Sequence, residues 1–79
     1  MFNTIDFLRG EKISMYDQLH EALNENGELM IRMDSGEDRE LHLHNAEFLD
    51  NGMIKVDADD EIHWVNPEKV ERYWIHMDF

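Results

Sequence analysis

The chain has 79 residues, no cysteine, 19 acidic and seven basic side chains, and a formal net charge of −12. This length suits one domain, residues 1–79, and the lack of cysteine excludes disulfides, thiolate catalysis and sulfur-ligated zinc sites. The charge disfavours direct binding to nucleic acid or to anionic lipid, and it favours either simple solubility or a protein partner with a basic surface.

The sequence offers no segment that would direct the chain to a membrane. It begins without a basic stretch followed by a long apolar run, so we expect no signal peptide. The longest apolar runs have three residues, as at 29–31, which is too short to span a bilayer. We therefore expect a cytoplasmic protein.

The first clear element is a helix at about residues 14–25. Before it, Thr4 could cap a single helical turn that ends at Gly10. Ser14 is followed three residues later by Asp17, a spacing that resembles a capping box. Asn26 and Gly27 supply the left-handed exit that ends many helices. The stripe expected to face the core is Ile13, Tyr16, Leu19 and Leu23.

After Gly27 the apolar period changes to two, which predicts five short strands joined by turns. Pro67 suits a single 3₁₀ turn before the last strand. The apolar parity slips after Leu43, so we expect a β-bulge near residues 44–45 that bends the second strand. The predicted apolar rows are Leu29, Ile31 and Met33; Leu41 and Leu43; Ile54, Val56 and Ala58; Ile62 and Trp64; and Tyr73, Ile75 and Met77.

One helix, five strands and a helical turn before the last strand form an order that resembles the small SH3-like barrels, in particular the helix-first Sm-like group. The resemblance covers roughly residues 14–77. It implies an α+β fold, with an N-terminal helix followed by a five-stranded antiparallel meander bent into a small barrel, and it raises the prospect of a homo-oligomer. Sm-like proteins contact RNA through an Arg-Gly or Lys-His pair near strands four and five. Residues 62–67 read Ile-His-Trp-Val-Asn-Pro and lack such a pair.

Two histidines form a candidate metal-binding pair. His42 and His44 lie two residues apart on a predicted strand and would share a face. Two imidazoles on one face can chelate a metal ion, with His63 or His76 as a third ligand. The alternative is that these histidines form the polar face of a strand whose other face is apolar.

Other chemistry is not indicated by the sequence. The acidic turn of Asp57, Asp59, Asp60 and Glu61 lacks the glycine that a calcium loop needs, because Ile62 stands there. No serine is accompanied by a base and an orienting group, and no glycine-rich loop opens a helix after a strand. We expect no catalytic residue, no cofactor and no enzymatic activity.

Apolar residues are predicted on both faces of the sheet. Tyr73 and Trp74 are neighbours on the last strand and must point to opposite sides. Met30 and Met53 also lie opposite the main apolar rows of their strands. Of Tyr73 and Trp74, one ring can fill the barrel while the other lies under the helix; the alternative is an exposed Trp at a contact surface, where Trp and Met are enriched. The predicted partner-binding residues are Trp74, His76, Met30, Met53, Asp57, Asp59, Asp60 and Glu61.

These observations favour a small acidic, non-catalytic protein-interaction module, regulatory or inhibitory in role. A second hypothesis is a phage-type nucleic-acid mimic, whose carboxylates stand in for phosphates and block a basic nucleic-acid-binding protein. A third is an Sm-like assembly or RNA-binding component, which the charge opposes. A fourth is a histidine-based metal binder.

Overall fold

A computed structural model describes residues 13–77. These residues form an α+β fold with one α-helix, six β-strands and one short 3₁₀ helix. The elements are α1 (Met15–Asn26), β1 (Glu28–Met33), β2 (Asp38–His42), β3 (Ala46–Phe48), β4 (Ile54–Ala58), β5 (Glu61–Val65), the 3₁₀ helix (Pro67–Lys69) and β6 (Val70–Trp74). The turn considered around Thr4 lies outside the described residues.

Helix α1 begins and ends as the sequence predicts. The Asp17 backbone N–H donates to Ser14 Oγ at 3.1 Å, and the Ser14 hydroxyl donates to the Asp17 carboxylate at 3.0 Å. Gly27 ends the helix in the left-handed region at φ 81°, and its N–H donates to the Leu23 carbonyl. One expected core residue is wrong: Ile13 precedes the N-cap and is exposed.

The strands form two antiparallel sheets of three strands each. Sheet A has the order β2-β1-β6, and sheet B has the order β3-β4-β5. In sheet A, Leu29 faces Leu41 and Ile31 faces Tyr73 across neighbouring strands. Within residues 13–77, no strand pairing closes the two sheets into a barrel.

The prediction of five strands is wrong, because the expected second strand is divided in two. Strand β2 ends at His42, residues 43–45 form a turn, and β3 begins at Ala46. The Asn45 side-chain oxygen accepts a hydrogen bond from the His42 N–H at 2.8 Å, which closes this turn. Leu43 is therefore exposed rather than part of the inner row. The slip in parity is real, but its cause is a turn rather than a bulge.

The last two strands also depart from the expected rows. Strand β5 pairs Val65 with Ile54, so Val65 is buried, whereas Ile62 and Trp64 face outward. Strand β6 ends at Trp74, which leaves Met77 exposed beyond it. A register irregularity lies between Arg32 and Met33 in the pairing of β1 with β6.

The core lies between the helix and both sheets. Its buried members come from α1 and from five of the six strands: Leu19, Leu23, Leu29, Ile31, Leu41, Ile54, Val56, Val65 and Val70. Helix α1 is also tied to β6 by the Tyr73 hydroxyl, which donates to Gln18 at 3.1 Å. Among the described residues, no helix combines the length and the apolar character needed to cross a membrane.

Candidate interaction surface

The outer face of sheet A carries Trp74, one of the residues that the sequence predicts for partner binding. Trp74 lies opposite Met30, so the two predicted contact residues are neighbours. The Arg72 and Arg32 guanidinium carbons lie 4.8 and 5.5 Å from the Trp74 ring centroid. Guanidinium groups over an indole face form cation–π contacts. The ring is half-buried under two side chains of its own sheet, which leaves little of it for a partner.

Arg32 and Asp38 form an ion pair on this face. Arg32 donates two hydrogen bonds to Asp38, at 2.7 and 3.2 Å. The bonds from Arg32 hold the pKa of the Asp38 carboxyl below its usual value, and the bond to Asp38 raises the pKa of Arg32. Such two-point contacts fix the guanidinium plane, which here also lies near Trp74.

The outer face of sheet B is different, because its large apolar side chains are uncovered. Trp64 is 56% exposed and Ile62 is 48% exposed. They lie opposite Lys55 and Asp57 of β4, and Glu47 of β3 stands on the other side of Lys55. We call this surface the Trp64 face, composed of Glu47, Lys55, Asp57, Ile62 and Trp64.

The inward side of β5 explains why Trp64 points outward. Val65 is buried against Ile54, and His63, opposite Val56, turns to the same side. His63 Nδ1 lies 3.2 Å from an Arg39 guanidinium nitrogen, and His63 Nε2 lies 2.8 Å from Glu61. Since guanidinium only donates, His63 Nδ1 accepts from Arg39 and Nε2–H donates to Glu61. This polar link joins β2 of sheet A to β5 of sheet B.

Sequence reasoning missed the Trp64 face. The alternation of Ile62 and Trp64 predicts that these two form the apolar row of their strand, although Val65 at the end of that strand offers the opposite parity. The sequence holds one hint of the other parity, since Val65 lies two residues before Pro67 and Val70 lies three residues after it. Both valines are buried on either side of the 3₁₀ helix.

The other predicted contact residues do not form one patch with Trp74. Met53 lies in the β3–β4 loop, and His76 lies beyond the end of β6. The exposed acidic residues cluster at the other end of β4, in and beside the β4–β5 turn: Asp57, Asp59, Asp60 and Glu61. The structure brings Met30 and Trp74 together and separates this pair from Met53.

The two histidines of the predicted metal-binding pair are close in space but do not share a strand. His44 lies in a turn rather than on a strand, yet its ring stacks on that of His42 with centroids 5.3 Å apart. His63 does not serve as a third ligand, because both of its ring nitrogens have partners. His42 instead lies near two carboxylates, those of Glu28 and Glu40.

Two open clefts adjoin the turn that divides β2 from β3. One, of about 490 Å³, is lined by Glu40, His42, His44, Asn45, Asp57, Ala58 and Asp59. The other, of about 320 Å³, lies beside the Trp64 face and is lined by Leu43, His44, Asn45, Ala46, Glu47, Lys55 and Asp57. Exposed Leu43 thus adds apolar surface next to the Trp64 face.

Comparison with known proteins supplies no family for this chain. No family model matches the sequence, and neither the curated proteins nor the solved structures gave a match.

Proposed function

We propose that the chain is a non-catalytic protein-interaction module that binds its partner through the Trp64 face. The observation that carries this proposal is the exposure of Trp64 beside Ile62 on the outer face of sheet B. Trp is the residue most enriched among interface hot spots, where its removal commonly costs at least about 2 kcal/mol. To contact a partner in the same way, Trp74 would have to break its cation–π contacts with Arg32 and Arg72. Among the described residues, Trp64 has no such contact to break.

The charge around Trp64 favours a basic partner. Glu47 and Asp57 belong to the same face, and the acidic turn of Asp59 and Asp60 follows at the end of β4. Lys55 is the one cation of the five-residue face. The complementary surface is a protein with an apolar recess bordered by Lys or Arg, since matched potentials guide association and fix orientation.

A non-catalytic role is supported by the uses already found for the serines. Ser14 caps α1, and Ser35 lies in the β1–β2 turn. The clefts are lined by carboxylates and imidazoles, but the lining residues include no serine or threonine nucleophile. A regulatory or inhibitory module needs only a binding surface.

The experiment is a comparative capture followed by a direct binding measurement. Wild type, Trp64→Ala and Met77→Ala are immobilised and exposed to native extract, and bound proteins are quantified at low and high salt. Met77 is exposed and lies outside every strand, which makes it the matched control. Any protein lost only with Trp64→Ala is purified and titrated against all three. We expect 1:1 binding that weakens at least 30-fold for Trp64→Ala, equivalent to about 2 kcal/mol, and less than twofold for Met77→Ala.

Equal capture by wild type and Trp64→Ala would overturn the proposal. The nucleic-acid mimic would be favoured if a basic nucleic-acid-binding protein is captured by wild type and by Trp64→Ala, but not by the double variant Asp59→Asn with Asp60→Asn. A dimer of the wild type that Trp64→Ala dissociates would instead assign the face to self-assembly. Retention of single-stranded RNA at low salt would favour an Sm-like role.

We also propose that the two sheets are halves of a strongly bent SH3-like or Sm-like arrangement. The division of one long strand into β2 and β3 at residues 43–45 supports this idea, as does the 3₁₀ helix just before β6. Amide hydrogen exchange and cross-strand contacts measured by NMR would test it. Additional pairing between the sheets is expected, and its absence would leave an open two-sheet fold.

A further inference from the structure

One corner of sheet A brings three metal-ligating side chains together. Glu28 on β1 lies directly opposite His42 on β2, and Glu40 is two residues before His42 on the same outer face. One ligand atom from each residue lies within 4.8 Å of the others. The His42 Nε2 atom is 3.1 Å from Glu40 Oε2. Strands hold such a cluster more firmly than loops do.

Among the described residues, no lysine or arginine forms a salt bridge with either carboxylate at this corner. Within residues 13–77, His42 is the only group within salt-bridge distance of Glu40, and Glu28 has no salt bridge. Arg32, on the same face of β1, is occupied by Asp38. Two carboxylates this close repel each other at neutral pH, and a bound cation relieves that repulsion.

The distances suit a small transition-metal ion. Zinc binds imidazole nitrogen and carboxylate oxygen at about 2.0–2.2 Å, so neighbouring ligand atoms in a tetrahedral site are roughly 3.3 Å apart. The His42–Glu40 separation of 3.1 Å already matches that spacing. The other ligand-atom separations, which are all within 4.8 Å, reach that spacing if a glutamate moves by at most about 1.5 Å, within the range of a change in its side-chain rotamer.

We propose that Glu28, Glu40 and His42 bind a divalent transition-metal ion of the zinc type, with water in the open position. An imidazole ligand selects such ions over Ca²⁺ and Mg²⁺, which prefer an all-oxygen set. The adjoining cleft, which includes Glu40 and His42 in its lining, leaves the ion open to water on one side. His44 stacks on His42 and orients its ring rather than binding the ion.

The test is calorimetric titration of Zn²⁺ into chelator-treated full-length protein at neutral pH and physiological salt. We expect one site for wild type. His42→Gln and the double variant Glu28→Gln with Glu40→Gln should each weaken binding at least tenfold. His76→Gln, which changes an exposed histidine beyond β6, should stay within twofold of wild type, and so should His44→Gln. NMR should show the His42 ring nitrogens shifting on addition of Zn²⁺.

Three results would overturn this assignment. Binding within twofold of wild type in His42→Gln would remove the site. Loss of binding in His44→Gln but not in the double glutamate variant would replace these ligands with the histidine pair. Equal competition by Ca²⁺ would show only general attraction of cations to an acidic protein. None of these results bears on the Trp64 face, because the two surfaces share no residue.

Discussion

Two neighbouring residues of β5 provide a sharp test of the fold. Val65 is 7% exposed and Trp64 is 56% exposed, whereas the apolar row of Ile62 and Trp64 in the sequence predicts the reverse. Replacing each residue with aspartate distinguishes the two arrangements. Val65→Asp and Trp64→Asp place the same carboxylate on opposite faces of β5.

The structure implies very different costs for the two substitutions. Val65→Asp loses about 1.5–2 kcal/mol of side-chain burial and leaves a carboxylate in the core, which adds several kcal/mol. That total approaches the whole stability of a chain this size, about 4–12 kcal/mol. We therefore expect Val65→Asp to be largely unfolded.

Trp64→Asp should remain folded. With 56% of Trp64 exposed, the covered part is roughly 110 Å² of an indole side chain that offers up to about 250 Å². At about 25 cal/mol per Å² this is under 3 kcal/mol, and nearer 2 once the compactness of the unfolded chain is considered. The new carboxylate would face Lys55, which offsets a few tenths of a kcal/mol.

Urea unfolding followed by far-ultraviolet circular dichroism measures both effects. Trp74 is retained in both variants, so its fluorescence provides a second probe of the same transition. An unfolded Trp64→Asp beside a folded Val65→Asp would refute the register of β5 and, with it, the exposure of the Trp64 face.

Three further results are expected. Ser14→Ala should lower the free energy of unfolding by about 1 kcal/mol through loss of the N-cap, with Thr at that position as the control; no change would contradict the cap. Gly27→Ala should lower the free energy of unfolding by about 1 kcal/mol, because the backbone φ at this position is 81°. Steric clash does not contribute, since an added Cβ would meet nothing within 4 Å. An unchanged free energy would refute the left-handed end of the helix. In metal-free buffer, carboxyl NMR should show the pKa of Asp38 below its usual value, rising in Arg32→Gln. A depressed pKa of Asp38 means that its ion pair with Arg32 stabilises the fold above about pH 4. This contribution is lost as the pH falls through the folded-state pKa. An unchanged pKa of Asp38 in Arg32→Gln would refute the contact.

The sequence was sufficient for features set by local chemistry. Ser14 and Gly27 bound the helix, Pro67 begins the 3₁₀ helix, and the change of period after Gly27 marks the start of β1. Each depends on a hydrogen bond or backbone angle within a few residues. The opposite directions of Tyr73 and Trp74 also follow from the geometry of a strand.

Features set by tertiary pairing could not be predicted. Which face of β5 is buried depends on its register with β4, which aligns Val65 with Ile54. The sequence within β5 offers an apolar residue on either face, so both parities are plausible locally. The Glu28–His42 pairing is likewise a consequence of the β1–β2 register, and spacing along the chain cannot reveal it.

The distribution of positive charge determines which side of the molecule can meet a basic partner. Each of the three described arginines is engaged within or beside sheet A: Arg32 with Asp38, Arg72 over Trp74, and Arg39 with Glu37. Helix α1, by contrast, contains acidic residues and no lysine or arginine. Among the described residues, Lys55 is the only lysine or arginine in the strands of sheet B, so a basic partner is repelled less by the helix and sheet B than by the three arginines of sheet A. The Trp64 face lies on sheet B, so the electrostatic field and the exposed indole favour the same direction of approach.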